Sequence, residues 1–511
     1  MKRDNFYITT PIYYPSGKPH MGHAYSSIIT DVFARFKRID NHNVFFLTGT
    51  DEHGLKIQNA AKKENMDPLT YCNKISKTFK ELTIKLNLSN DDFIRTTEKR
   101  HHDAVNDLWL KLIKSGDIYL SKYKGWYSIS DEAYYNDDEI IEKNGKKYSS
   151  FSGSLVEWVE EESFFFKLSA WEKKLLEFYK KNKKFIIPES RRNEVIQFVK
   201  RGLKDLSVSR TSFSWGIKVP EKQNHVIYVW LDALTNYISA LNYPKTDDEL
   251  FKNFWPASLH DIGKDILRFN TIYWPAFLFA ADIEPPSRIF SHGWILSDDE
   301  KMSKSKGNIL DPLEIINNYG IDELRYYLMK EVSHGSDGSI SLKSLQACIN
   351  SDLANNYGNL CQRIFSFVEN NCNGKVIKTK ENSKSEKKLI EETNNLMKNL
   401  REEMSNQNLN NYLKSVINIS FLTNKYINDE EPWKLKKTDV VKMNNILYLS
   451  LEQIAKISIL LNPIIPESTL KVLKALNIEN NSINLSFLDG KNIFEDEIKV
   501  KKMNILFKKN T

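Results

Sequence analysis

The chain has 511 residues, 41% of them hydrophobic and 27% charged, with a formal net charge of +7. That length holds two or three domains with cores of their own, and no apolar run is long enough to cross a bilayer. Cys72, Cys348, Cys361 and Cys372 form no C-x-x-C pair, which excludes a disulfide framework and a cysteine zinc knuckle and leaves isolated reduced thiols.

The β-rich segment Phe6–Thr10 starts almost at once. No secretory segment precedes it, so a cytoplasmic protein is expected. A loop with Pro11, Pro15, Gly17 and Pro19 follows, and residues 22–38 then show helical spacing through Ile28, Ile29, Val32, Phe33 and Phe36. A second strand over 43–48 ends in Thr48-Gly49-Thr50-Asp51-Glu52-His53-Gly54, and another helix starts near Leu55. Strand, loop, helix and strand of these lengths make a βαβ unit and predict a parallel sheet. Ligands of such sheets lie at the carboxyl ends of the strands.

Between about Ser115 and Val219 aromatics crowd into short pieces, among them Tyr123, Trp126, Tyr127 and Trp158, and Asn144-Gly145 predicts a hairpin turn. These residues are expected to form an inserted α+β module with an apolar core. The sheet pattern is expected to resume at Val226–Trp230 and again at Arg288–Leu296. Beyond about Ile340 the pattern is helical: Leu409, Leu413, Val416, Ile417 and Phe421 fall on one stripe, and Leu451, Ile454, Ile457 and Leu461 on another, with Pro432 between them. Lys375–Lys388 reads as a solvated linker or helix end. Residues 351–511 hold 24 Lys/Arg against 19 Asp/Glu, a surplus compatible with a polyanionic partner.

Two short segments carry chemistry. Pro19-His20-Met21-Gly22-His23 opens the first helix. His20 and His23 point the same way on a helix, Gly22 leaves the backbone open to a flat ligand, and a helix N-terminus attracts phosphate. A pair of surface or metal-binding histidines would look the same. Lys301-Met302-Ser303-Lys304-Ser305 places two cations in a loop that can close over a triphosphate, or that is a solvated turn. Together they suit transfer at the ATP α-phosphate, which requires an in-line acceptor and stabilisation of charge rather than a protein nucleophile.

The pair H-M-G-H and K-M-S-K-S resembles the signature of class I aminoacyl-tRNA synthetases. Thr48–Gly54, Tyr228-Val-Trp-Leu-Asp-Ala-Leu-Thr-Asn-Tyr237 and Gly263-Lys-Asp-Ile-Leu-Arg-Phe269 narrow the resemblance to the methionyl-tRNA synthetases. It implies an α/β fold: a Rossmann-like parallel-sheet catalytic domain in two halves (1–114 and 226–345), an inserted α+β connective module (115–225), and an all-α helical-bundle anticodon-binding domain (346–511). The implied substrates are ATP with Mg2+, L-methionine, and initiator and elongator tRNA(Met). The expected protein is a monomer with no membrane partner. The rivals are another class I synthetase, or a catalytically inactive tRNA-binding paralogue.

The resemblance also implies site residues. His20, His23, Lys301 and Lys304 would be catalytic, and His20, Gly22, His23, Gly263, Asp265 and Lys304 would contact ATP. Asp51 would hold the methionine ammonium, although a helix-capping acid fits the residues as well. Ile12, Tyr14, Trp230, Ala233, Leu234, Tyr237, Ile266, Phe269 and Asn270 would line the thioether pocket; a core stripe predicts the same spacing. At Asn270 the family usually has His, so an imidazole is replaced by an amide donor. Asn359, Arg363 and Trp433 would read the anticodon, where an ordinary polar helix face is the bland alternative. Many relatives carry zinc-binding cysteines in the insertion. Residues 115–225 contain none, so no zinc is expected.

Overall fold

Six short strands, β1 (Asn5–Thr9), β2 (Asn43–Thr50), β3 (Asp92–Arg95), β4 (Ile186–Ile187), β5 (Leu259–Gly263) and β6 (Ile289–His292), form one parallel sheet in the order β3-β2-β1-β5-β6-β4. Tyr7, Leu47, Ile94, Ile262 and Ile289 from these strands are buried in its core. The computed structural model describes residues 4–131, 133–297, 300–301, 310–378 and 381–509. The chain divides into two compact units: Asn5–Pro19 with Phe45–His292, which holds the sheet, and Met1–Asp4, His20–Val44 and Gly293–Thr511. No helix among the described residues is long and apolar enough to cross a membrane.

In the sheet-bearing unit the long strands Ile118–Ser128 and Glu157–Phe166 pair antiparallel along their length. The hairpin Ile140–Lys143/Lys146–Ser149 turns where expected, with Asn144 at φ 53° and Gly145 at φ 71°. The expected aromatic core of the insertion is only partly present. Tyr127 is buried, whereas Trp158 is 54% exposed and meets Trp126 edge-on at 5.1 Å. A polar knot stands beside them: Asp131 accepts hydrogen bonds from Tyr135 (2.7 Å), Ser152 (2.5 Å) and Ser154 (2.7 Å).

Two strand expectations are corrected. The strand expected at Val226–Trp230 ends at Ile227 and belongs to a separate antiparallel sheet with Ser209–Arg210 and Lys218–Val219. Val229 and Trp230 instead begin the helix Val229–Leu234; the parallel sheet resumes earlier, at β4, and continues at β5. β-branched and aromatic runs fit a strand or a buried helix start equally well. The run Arg288–Leu296 splits into β6 and Ile295–Ser297. Between them a side chain at Gly293 would stand 2.2 Å from the Ser336 backbone. Ile295–Ser297 pairs instead with Glu300–Lys301 and Gly338–Ile340.

The second unit is mostly helical. It opens with α1 (Met21–Ile39) and includes the long helices Leu409–Glu430 and Val440–Leu461, interrupted at Pro432 as expected. Phe421 departs from the predicted stripe and is 50% exposed. Lys375–Lys388 is not only linker: Lys375–Ile377 pairs with Glu497–Lys499, and a helix begins at Lys384.

A buried arginine ties this unit together. The Arg325 guanidinium donates to Asp31 of α1 (2.7 Å) and to the carbonyls of Ile464 (2.7 Å) and Pro463 (2.9 Å). Both side chains of the ion pair are 0% exposed. Removing one partner strands the other charge in a low-dielectric interior. Arg325→Met is therefore expected to destabilise the fold by about 3–5 kcal/mol, measured by denaturant unfolding; a loss under about 1 kcal/mol would reduce the pair to the rank of a surface bridge.

Candidate active site

α1 begins with a cap made by two imidazoles. His20 is the N-cap residue, in extended backbone at φ −136° and ψ 178°. Its Nδ1 accepts from the Gly22 backbone N–H at 3.1 Å, and its own backbone N–H donates to His23 Nδ1 at 3.0 Å. The ring centroids lie 3.8 Å apart. An Nδ1 that accepts cannot carry a proton in the neutral ring, so the hydrogen bonding assigns both imidazoles to the Nε2–H tautomer. Each ring thus has its donor at the far nitrogen, at a helix N-terminus that already favours anions. A methyl group on Gly22 would come within 3.0 Å of the His20 ring, so the glycine makes room for the cap itself.

Burial holds the His23 imidazole well below its ordinary 6.5, and His20 beside it adds to the shift. Desolvation lowers His20 as well. Of the two lysines expected to act with them, Lys304 lies outside the described residues, as do Met302, Ser303 and Ser305, and Lys301 ends the short strand Glu300–Lys301.

The sheet-bearing unit presents the other group of expected residues. Strand order reverses between β1 and β5, which makes the carboxyl ends of these two strands the place where such a sheet opens a crevice. A cleft of about 1090 Å3 there is lined by Tyr14, Asp51, Trp230, Asp265, Ile266 and Phe269. Trp230 and Phe269 stack face to face at 3.6 Å and 7°. Ala233, Leu234, Tyr237 and Asn270 are buried, and Ile12 packs half-buried against the same core. Tyr237 donates to Asn270 Oδ1 at 2.9 Å while Asn270 Nδ2 donates to the Ile266 carbonyl at 3.0 Å. The amide at 270 therefore uses both ends, accepting from the tyrosine and donating to the backbone, and burial raises the Tyr237 phenol so that it stays a donor. Gly263 ends β5, and a Cβ there would lie 2.7 Å from Asp265 Oδ1.

The loop after β2 is anchored residue by residue. The Asp51 backbone N–H donates to the Tyr13 carbonyl (2.9 Å) and that of Glu52 to Thr96 Oγ1 (2.9 Å). Tyr14 donates its phenol to the His53 carbonyl (2.7 Å). The fully buried Glu52 carboxylate accepts from Thr50, Ser76, Thr97 and both ends of the Arg95 fork. Burial pushes the Glu52 carboxyl up from its ordinary pKa, and these donors overcome that and hold it below the usual carboxylate range. Glu52, Arg95, His53 and Asp232 were absent from the expected site. Glu52, His53 and Asp232 stand inside quoted motifs, but nothing local in the sequence marks a buried carboxylate and its remote partners.

In the helical unit Arg363 and Trp433 come together. The guanidinium carbon lies 5.4 Å from the indole centroid, and Arg363 Nη2 donates to Asn428 at 2.9 Å. Trp433 is 40% exposed, and Asn359 is exposed one turn before Arg363 on the helix Asn359–Cys372. Asn428, which orients the guanidinium, had no signal in the sequence.

Residues 6–365 match the family model of tRNA synthetases class I (M), and residues 376–511 that of the anticodon binding domain of methionyl tRNA ligase. The methionine-tRNA ligase of Rhizobium meliloti is 50% identical over 469 residues, covering 92% of this chain and 91% of the relative. That of Brucella suis is 47% identical, covering 94% and 93%. The structure of Mycobacterium tuberculosis methionyl-tRNA synthetase in complex with methionyl-adenylate superposes with a TM-score of 0.96 at 43% identity, covering 99% of each chain.

The imidazole cap is open to a direct test. A depressed histidine is neutral above the ordinary 6.5, and the cap is lost only as pH falls through the lowered folded value. Histidine-selective 15N spectra are expected to show His20 and His23 as Nε2–H tautomers at neutral pH, with His23 titrating below 6.5. An Nδ1–H pattern, or titration at or above the ordinary value, would refute the assignment.

Proposed function

The chain belongs to the methionyl-tRNA synthetases of the class I aminoacyl-tRNA synthetase family, and we propose how its residues divide the work of activating L-methionine with ATP and charging tRNA(Met). The observation that carries the reading is the cleft at the strand-order reversal, where Asp51 opens beside the Trp230–Phe269 stack and Asp265.

In the first step a carboxylate oxygen of methionine attacks the α-phosphorus of ATP. The bond to the bridging oxygen breaks, and pyrophosphate leaves with that electron pair. Asp51 takes the methionine ammonium as a charge-assisted partner. The thioether lies against Trp230 and Phe269, since sulfur makes favourable aromatic contacts, with Ile12, Tyr14, Ala233, Leu234, Ile266 and the Tyr237–Asn270 pair shaping the space around it. Asp265 accepts from ribose hydroxyls, and Gly263 keeps the nucleotide's approach clear. The Nε2–H groups of His20 and His23 donate to phosphate oxygens beside Gly22, and Lys301 and Lys304 stabilise the leaving pyrophosphate. Mg2+ bound with ATP would offset charge on the phosphate oxygens. In the second step a hydroxyl of the terminal ribose of the tRNA attacks the acyl carbon, and AMP leaves. Asn359, Arg363 and Trp433 read the anticodon, with a base stacked on the indole. The proposal extends to initiator and elongator tRNA, to the domain limits given above and to a cytoplasmic monomer, the last checked by gel filtration.

Methionine-dependent incorporation of labelled pyrophosphate into ATP tests the first step. Lys304→Ala is expected to lower that exchange about a hundredfold or more while tRNA binding changes little; equal exchange would remove Lys304 from the phosphate site. Trp433→Ala is expected to leave exchange normal and to weaken tRNA charging by the equivalent of about 1–3 kcal/mol. Unchanged charging would take Trp433 out of the anticodon contact.

A further inference from the structure

A buried carboxylate bridged by two imidazoles lies between the segments that carry the amino-acid cleft. Asp232 sits on the helix Val229–Leu234, between Trp230 and Ala233, and is 0% exposed. Its Oδ2 meets His53 Nδ1 at 2.7 Å and its Oδ1 meets His101 Nε2 at 2.7 Å. His101, also 0% exposed, stands on the helix Lys99–Lys114, and its Nδ1 lies 2.9 Å from Ser239 Oγ. His53 is 3% exposed in the loop that carries Asp51. Its backbone carbonyl is the acceptor for the Tyr14 phenol, and its ring meets His102 and Trp215 edge-on. Trp215 in turn donates its indole N–H to the Glu52 carbonyl at 2.6 Å.

We propose that Asp232 is a positioning residue for the amino-acid site: with His53 and His101 it locks the loop bearing Asp51, and through the His53 carbonyl the Tyr14 ring, in register with the helix bearing Trp230. The inference rests on the reading of Asp51, Tyr14 and Trp230 as the methionine site. A buried carboxylate is a costly way to hold three elements together, because apolar packing would serve stability as well. It supplies instead a fixed distance and direction, since one carboxylate accepts two charge-assisted hydrogen bonds in a set geometry. Burial opposes ionisation, and the two histidines override it and hold the carboxyl below the usual carboxylate range. An amide at 232 offers one oxygen acceptor and one NH2. It can accept from only one of the imidazoles, and the other must turn a lone pair toward it or swing away. The loop and the helix then lose their common reference while the surrounding core stays in place.

Asp232→Asn and Ser239→Ala, measured by methionine-dependent pyrophosphate exchange with thermal unfolding alongside, test this. Asp232→Asn is expected to raise the methionine KM about tenfold, equivalent to ~1.4 kcal/mol, with the ATP KM within about twofold and kcat largely kept, as for loss of uniform binding. Ser239→Ala, which frees the far side of His101 and removes only one further bond, to the Asn236 carbonyl at 3.2 Å, is expected to shift the methionine KM in the same direction by about two- to threefold. An unchanged methionine KM in Asp232→Asn, or a parallel fall of kcat with a rise in both KM values and a lowered Tm, would reduce Asp232 to a structural bridge and overturn the proposal. Should Asp232→Asn fail to fold, an unchanged methionine KM in Ser239→Ala overturns it alone. Wild-type protein with no methionine-saturable exchange would overturn the amino-acid-site reading itself, an outcome distinct from those of the variants.

Discussion

Parallel strands send their carboxyl ends to one edge, and β2, β1 and β5 stand side by side in this sheet. Three chain segments must therefore leave at the same edge, and each needs partners for backbone groups that the ladder no longer satisfies. The structure meets that demand with cross-loop bonds: Tyr13 N–H to the Gly49 carbonyl (2.8 Å), Asp51 N–H to the Tyr13 carbonyl (2.9 Å), and a parallel bridge between Tyr13 and Thr50. The segment after β1 carries Ile12 and Tyr14, the one after β2 carries Asp51, and the one after β5 carries Asp265, Ile266 and Phe269. The constraint that closes the sheet edge also assembles the cleft.

Those loops are stiffened by ionised groups whose partners are far off in the chain. Glu52 is held by Arg95, and Asp232 by His53 and His101. In the helical unit Arg325 plays the corresponding part, tying α1, whose first residues are the imidazole cap, to the carbonyls at Pro463 and Ile464. In each case an ion too costly to bury alone is buried because several donors or acceptors converge on it. The candidate groups with ordinary polar surroundings, Asn359 and Trp433, lie on exposed surface, where a partner would supply the remaining contacts. Of the cysteines, Cys72 touches this network, its thiol donating to the Glu52 carbonyl at 3.5 Å. Cys72 and Cys361 are buried and their thiols are raised, and Cys348 is pushed up to about 12, which leaves them inert.

Much of the fold was legible because it is written locally. The helix from Gly22 to Arg38, the Asn144-Gly145 turn and the break at Pro432 depend on near neighbours, and each is found where periodicity or turn chemistry put it. The failures have one cause. Val229 and Trp230 read as strand because buried helix starts and strands share apolar runs, and Trp158 read as core because an aromatic residue on a half-covered sheet carries no sign of which face it occupies. Phe421 was placed on a buried stripe by a spacing that, twelve residues on, has drifted about 120° around the helix from Leu409.

The sequence by itself determined the kind of chemistry: paired histidines at a helix start, the Lys/Ser loop far downstream, and enough linked motifs to specify a family and its substrates. It also determined which residue types stand at the strand ends, because those motifs are contiguous and their side chains are read off directly. Only the tertiary structure decided the state in which these groups are held. The Nε2–H tautomers follow from backbone amides that meet the imidazoles in one helical turn, and the Tyr237–Asn270 pair and the Asp232 bridge join residues 33, 131 and 179 positions apart. Hydrogen bonds of that reach depend on which elements the sheet order makes neighbours, a property of the whole chain that no local pattern encodes.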